Sequence, residues 1–134
     1  MTCIFCDIIS GTSKSSIVYE DTESMVFLDR YPIDVGHCLL VPKKHYEKIT
    51  DMNSKDVGSL FSKVPKLACA ILQATRANAF SLGQNNGKSA KQIIPHVHVH
   101  IIPRYDNRGS VWTKRSIPNI ADLDTLAKNI RDRL

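Results

Sequence analysis

Three of the five histidines in this 134-residue chain fall within five positions, at His96, His98 and His100. Imidazole can move a proton near pH 7, attack an electrophile as a neutral base or ligate a metal, so a row of three marks a place for chemistry. Val97 and Val99 separate the three, and Ile101, Ile102, Pro103 and Arg104 follow. This alternation has the period of a strand, which puts the imidazoles on one face and Val97, Val99 and Ile101 on the other. A slip of one residue would drive three imidazoles into the core, so the apolar face fixes the register. Side chains two apart on a strand are separated by about 6.6 Å, which places His96 and His100 about 13 Å apart. One metal ion cannot easily gather all three, and their roles point to division.

Other reactive residues lie far from this row in sequence. Cys3 and Cys6 have the C-x-x-C spacing of two soft metal ligands, which a reducing compartment favours over a disulfide. Cys38 and Cys69 sit among apolar residues and read as small core side chains. Asp29 closes an apolar run, where a carboxylate either caps a loop or accepts hydrogen bonds from a ligand. The stretch from Asn85 to Lys91 contains Asn, Gly and Ser and reads as a loop whose backbone could present donors to phosphate.

These residues must be positioned by a modest number of elements. Ile4 to Ser10 has helical spacing and stops at Gly11, while Ile17–Glu20, Ser24–Asp29 and His37–Val41 read as strands. From Asp51 or Asn53 to about Asn78 the apolar residues recur at three and four positions, predicting one long helix bent at Pro65, with Ser54 and Asp56 favoured near its start. Phe80 to Gln84 reads as a strand and Tyr105 to Pro118 as a loop. A closing helix to Leu134, capped by Asn119 or Asp122, would turn Ile120, Leu123, Leu126, Ala127 and Ile130 to one side. The fold class is α+β, an antiparallel sheet with one long helix and a C-terminal helix, in a single domain over residues 1–134.

Composition narrows the function. At 43% hydrophobic the chain has enough apolar residues for one core. Its formal charge of +5 is spread along the sequence, which suits a phosphate-bearing ligand. No basic stripe interleaved with aromatics is present, so nucleic acid is not expected as a partner. No run reaches membrane-spanning length and residues 1–10 have no leader pattern, so a cytoplasmic protein is expected, with nuclear entry left open.

The pattern His-φ-His-φ-His-φ-φ, in which φ is apolar, resembles the signature of the histidine triad superfamily. The similarity extends over Cys3–Ile9, Phe27–Asp29, Gly36–His45, Asn85–Gly87 and Ile101–Arg104, and is strongest to single-domain, zinc-containing microbial members. The resemblance implies a structural zinc on Cys3, Cys6, His45 and His96; the alternative is a metal-free protein with buried thiols. It implies a purine nucleotide held by Phe5, Ile8, Asp29, Asn85, Gln92, His98 and His100, with Phe5 and Ile8 walling the base and Asp29 on the ribose. His98 would be the nucleophile, forming a nucleotidyl-histidine intermediate, and His100 would stabilise the transition state. His37 would support them from behind, or would be a satisfied core histidine.

The implied activity is hydrolysis or transfer at the α-phosphate of dinucleoside polyphosphates or nucleoside phosphoramidates, releasing a nucleoside monophosphate. The alternative is a nucleotide-binding regulatory or scaffold protein with little turnover. The resemblance also implies a homodimer with a continuous sheet. Lys91 and Ile93 depart from the small and polar residues common there, which leaves the leaving group open.

Overall fold

The computed structural model describes residues 2–113 and 116–134. In chain order the elements are α1 (Ile4–Ser10), β1 (Ile17–Glu20), β2 (Ser24–Leu28), β3 (Cys38–Pro42), α2 (Ser54–Phe61), α3 (Val64–Thr75), β4 (Ala79–Gly83), β5 (Val99–Arg104) and α4 (Ile120–Arg131). The strands form one sheet in the order β1-β2-β3-β5-β4, with every neighbouring pair antiparallel. The α+β fold with an antiparallel sheet is as the sequence pattern predicts. Among the described residues no helix is long and apolar enough to cross a membrane.

Strand alternation divides the interior into two layers. Val26 and Leu28 of β2, Cys38 and Leu40 of β3, and Val97, Val99 and Ile101 face α2, α3 and α4, where they meet Leu60, Leu67, Ile71, Ala127 and Ile130. Met25, Phe27, Leu39 and Val41 point the other way and pack on Cys3, Phe5 and Ile8 of the α1 region. A fully buried aliphatic or aromatic side chain contributes about 1.5–3 kcal/mol. Both layers therefore hold the register that the histidine row requires.

The single long helix is replaced by two. Pro65 sits in the first turn of α3, where its missing N–H costs nothing, and a continuous helix would press its ring against the carbonyl of Phe61, the residue at which α2 ends. Asn53, not Ser54, caps α2, its side chain accepting from the Asp56 N–H at 2.8 Å. α3 stops at Thr75 because Arg76 turns left-handed, φ 62°. Cys69 is another correction: Leu67, Ala68, Ala70 and Ile71 face inward while Cys69 is exposed on the outer side of α3. Ile120 likewise stands 52% exposed at the start of α4, whereas Leu123, Ala127 and Ile130 are buried. Gly11 in the left-handed region ends α1 and Asn119 caps α4, both as the sequence indicates. The loop read over Tyr105 to Pro118 includes Lys114 and Arg115, which lie outside the described residues.

Candidate functional site

The histidine row begins before its strand. Only Val99 and His100 belong to β5, while His96, Val97 and His98 run toward it outside the ladder. The ladder with β3 reaches Leu40 opposite Val99, and Pro42 has no N–H with which to extend it. Val97 instead donates its N–H to the Tyr46 carbonyl at 2.8 Å. The division into an apolar face and an imidazole face survives, and His96, His98 and His100 are all buried.

Hydrogen bonds to the backbone determine which ring nitrogen carries each proton. His98 Nδ1 lies 2.7 Å from the His96 carbonyl oxygen. A carbonyl only accepts, so Nδ1 holds the proton and the neutral ring has its lone pair on Nε2. His37 Nδ1 accepts the Ile33 N–H at 2.9 Å, which leaves the His37 proton on Nε2. That nitrogen is 2.9 Å from His100 Nδ1 and 3.6 Å from Asp29 Oδ2. With His37 donating, His100 Nδ1 accepts and His100 keeps its proton on Nε2. Two backbone groups thus set the tautomers of three rings, one presenting a lone pair and its neighbour a donor.

The loop before β3 has to approach closely to seat His37. Gly36 lies at φ +90°, and a Cβ there would stand 2.6 Å from Thr75 Cγ2 and 3.0 Å from Pro103 Cγ. The Asp29 N–H donates to the His37 carbonyl at 2.9 Å, and Asp29 Oδ1 accepts the Tyr31 N–H at 2.9 Å. Asp29, His37 and His100 consequently form one cluster.

A cleft of about 570 Å³ opens over this cluster. Phe5, Ile8, Asp29, Asn85, His98 and His100, all singled out from the sequence, line it together. Phe5 is set edge-on to Phe27 and to His98, with ring centroids 5.3 and 5.1 Å apart. The cleft therefore has an apolar wall beside two imidazoles and a carboxylate. Gln92 is placed elsewhere: its Oε1 accepts the Gly87 N–H and its Nε2 donates to the Glu47 carbonyl, both at 2.7 Å. Phe27 and Leu39 line the cleft too. The signal for Phe27 was available, because it lies two residues before Asp29 and so on the same strand face. No local pattern marks Leu39, which reaches the site by lying opposite His100.

A second cluster draws together Cys3, Cys6, His45 and His96, whose donor atoms all lie within 4.8 Å of one another. Cys3 Sγ and Cys6 Sγ are 3.5 and 3.6 Å from His96 Nδ1, Cys6 Sγ is 3.3 Å from His45 Nδ1, and the two Nδ1 atoms are 3.1 Å apart. Tetrahedral bonds of about 2.0–2.3 Å imply ligand-to-ligand edges of roughly 3.3–3.8 Å, so this donor set fits a zinc-like ion. His96 Nε2 donates to the Pro42 carbonyl at 2.8 Å, directing the Nδ1 lone pair at the cluster. Burial, helped by His45 and His98 and opposed by the Pro42 hydrogen bond, brings the His96 pKa down to about 4, which keeps the ring in its ligating neutral form. Burial, the Cys3 side chain and Asp7 raise the Cys6 thiol to about 11, so a metal must displace its proton.

The chain matches the model of the HIT domain over residues 10–107. It is 40% identical to an uncharacterised HIT-like protein of Methanocaldococcus jannaschii over 96% of this chain and 98% of that one. Identity is 41% to an adenylylsulfatase of Arabidopsis thaliana, over 86% of this chain and 58% of that longer one. It is 36% to an adenosine 5′-monophosphoramidase of Schizosaccharomyces pombe, over 78% and 75%. The crystal structure of a zinc-bound histidine triad family protein from Mycobacterium smegmatis superposes with a TM-score of 0.87 at 28% identity, covering 99% of this chain and 93% of that one. Similarity over nearly the whole length joins the buried histidine row and the antiparallel sheet as grounds for one conclusion: the chain belongs to the histidine triad family.

Proposed function

We propose that this chain is a single-domain hydrolase or transferase acting at the α-phosphate of a purine nucleotide derivative and releasing a nucleoside monophosphate. The observation that carries the reading is the 2.7 Å contact from His98 Nδ1 to the His96 carbonyl, which leaves the lone pair on Nε2 of a residue lining the cleft. In the first step Nε2 bonds to the α-phosphorus and the bond to the leaving group breaks, its electron pair departing with that group; a phosphoramidate nitrogen takes up a proton from solvent as it goes and leaves as the neutral amine. Water then attacks the phosphorus, the P–N bond breaks and the pair returns to Nε2. The hydroxyl remains on the monophosphate and the proton passes to solvent. His100 Nε2–H is suited to donate to the phosphoryl oxygens, where charge builds up. Phe5 and Ile8, with Phe27, would hold the base, Asp29 the ribose hydroxyls, and Asn85 the phosphate side.

Cys3, Cys6, His45 and His96 would hold a structural zinc, whose role is to tie α1 to the start of the histidine row. A homodimer is proposed through the β4 edge, where Phe80 and Leu82 are 39% and 44% exposed at the margin of the sheet. A cytoplasmic location accompanies this reading.

His98→Asn keeps a polar side chain of similar reach without the nucleophilic nitrogen. The test is turnover of adenosine 5′-phosphoramidate and diadenosine tetraphosphate, with intact-mass analysis of quenched wild-type reactions. Wild-type turnover, a nucleotidyl adduct and loss of both in His98→Asn are expected. Near-normal turnover by the variant overturns the assignment, and tight nucleotide binding without wild-type turnover makes the chain a nucleotide-binding regulator instead.

A further inference from the structure

A second depression leaves the cleft beside the loop that precedes the histidine row. It measures about 660 Å³, shares Lys91 and Ile93 with the cleft and extends past Lys48, Lys88 and Glu47. The two segments that form it are fastened together. The Gln92 side chain bridges the Gly87 N–H and the Glu47 carbonyl, and Asn86 Oδ1 accepts the Ile49 N–H at 2.7 Å. The loop also closes on itself, Ala90 N–H to the Gly87 carbonyl at 3.1 Å and Lys91 N–H to the Lys88 carbonyl at 2.9 Å. Lys48 Cε lies 3.9 Å from where a Cβ on Gly87 would be, so its stem runs along the loop. The lysines stand on a braced groove.

Among the described residues none of the three is paired with a carboxylate, although the Asp51 carboxylate lies close enough to accept the Lys48 backbone N–H at 3.0 Å. Lys43, Lys63 and Lys128 each reach a carboxylate, at 2.6, 3.1 and 3.0 Å. Among the described residues none comes within salt-bridge distance of Lys48, Lys88 or Lys91, and Glu47 is the one acidic residue lining the groove. Lys91 is moreover held at φ 62°, a backbone conformation where glycine or asparagine is the ordinary choice. Beside an apolar-walled cleft, three ammonium groups suit a ligand with one apolar end and one long anionic end.

We propose that this groove receives the substrate's leaving group and that the leaving group is a polyphosphate chain. The proposal rests on the reading of the cleft as a nucleotidyl-transfer site and names its substrate class. As His98 Nε2 bonds to the α-phosphorus, the bond to the bridging oxygen breaks and the electron pair leaves on that oxygen. The released polyphosphate gains a negative charge at that end, beside Lys91, while Lys88 and Lys48 hold the phosphates further along.

The test compares wild type with Lys48→Gln/Lys88→Gln, both outside the catalytic cleft, on three substrates that share an adenylyl group and differ in what leaves it: adenosine 5′-phosphoramidate, adenosine 5′-tetraphosphate and diadenosine tetraphosphate. On both polyphosphates kcat/KM is expected to fall about tenfold and to lose much of its salt dependence, while the phosphoramidate, with its uncharged leaving group, stays within about twofold. Lys48→Arg/Lys88→Arg should restore the polyphosphate rate. An equal loss on all three substrates, or no loss, overturns the proposal. A loss confined to the dinucleotide also overturns it, by assigning the groove to a second nucleoside. If wild type turns over none of the three, the hydrolase reading has failed, and calorimetry with inorganic tripolyphosphate decides the groove separately. Weaker binding by the Gln variant then supports the groove, and equal binding overturns it.

Discussion

His37 and His100 meet nitrogen to nitrogen at 2.9 Å although they stand 63 positions apart in the chain. The contact has a direction, because the Ile33 N–H occupies His37 Nδ1 and leaves Nε2 as the donor. Two amide substitutions divide this arrangement. Asn places its oxygen near the Nδ1 position and can still accept from Ile33, while Gln places its nitrogen near Nε2 and can still donate to His100. His37→Gln is expected to keep more activity than His37→Asn, and His37→Asn more stability than His37→Ala. The alanine variant strands a buried N–H and a ring nitrogen, at about 1–3 kcal/mol each. Paired measurements of kcat and urea midpoint check this ordering.

Asp29 Oδ1 already accepts one backbone N–H, and each carboxylate oxygen has capacity for a second bond. Asp29→Asn should weaken binding of ribonucleotides by about 1.5–3 kcal/mol, the usual worth of hydrogen bonds to a charged group. The loss for 2′,3′-dideoxy analogues should be much smaller. Calorimetric titration with both monophosphates makes the comparison, and equal losses would remove Asp29 from the ribose.

Zinc content is directly measurable. Protein purified without chelator is expected to contain about one zinc per chain, and Cys6→Ser to contain markedly less. Since Cys3 also caps α1 by accepting the Cys6 N–H, chelation should lower the melting temperature and weaken nucleotide binding together. Metal-free protein after expression with zinc supplementation would count against the site.

Acid should loosen the far end of β1. Burial alone would raise the Asp21 carboxyl, but the N–H groups of Glu23 and Ser24, the Tyr19 hydroxyl and the Lys63 ammonium outweigh it and hold the pKa far below its ordinary 3.8. A folded-state pKa below the unfolded one means that the unfolded chain binds more protons in that window. The contribution is present above about pH 4 and is lost as pH falls further. Asp21→Asn keeps an acceptor oxygen and loses the charge, so its deficit in urea midpoint against wild type should be clear at pH 7 and shrink toward pH 2.

The sequence made some features plain and concealed others for identifiable reasons. The histidine row, Gly11 and Asn119 could be read directly, since period and capping are local properties of a few residues. The division of the predicted long helix at Pro65 was ambiguous, because the same proline can kink one helix or begin another. Cys69 looked internal because its neighbours are apolar, yet one step around a helix separates inward from outward. Gln92 shows the limit most clearly. Its place between Gly87 and Glu47 depends on contacts with segments that no local pattern brings together, as does the donor chain from Ile33 through His37 to His100.

From His96 to Ile102 every side chain is buried, and none is left over for solvent. An engineer who wants another substrate has almost nothing to vary in that stretch, since each position serves either the imidazole row or the packing behind it. The adjustable part lies upstream, where Lys88, Lys91 and Ile93 are exposed and a substitution meets water. Directed evolution for a new leaving group should accordingly gather its changes between Gly87 and Ile93 and leave the seven residues from His96 to Ile102 untouched.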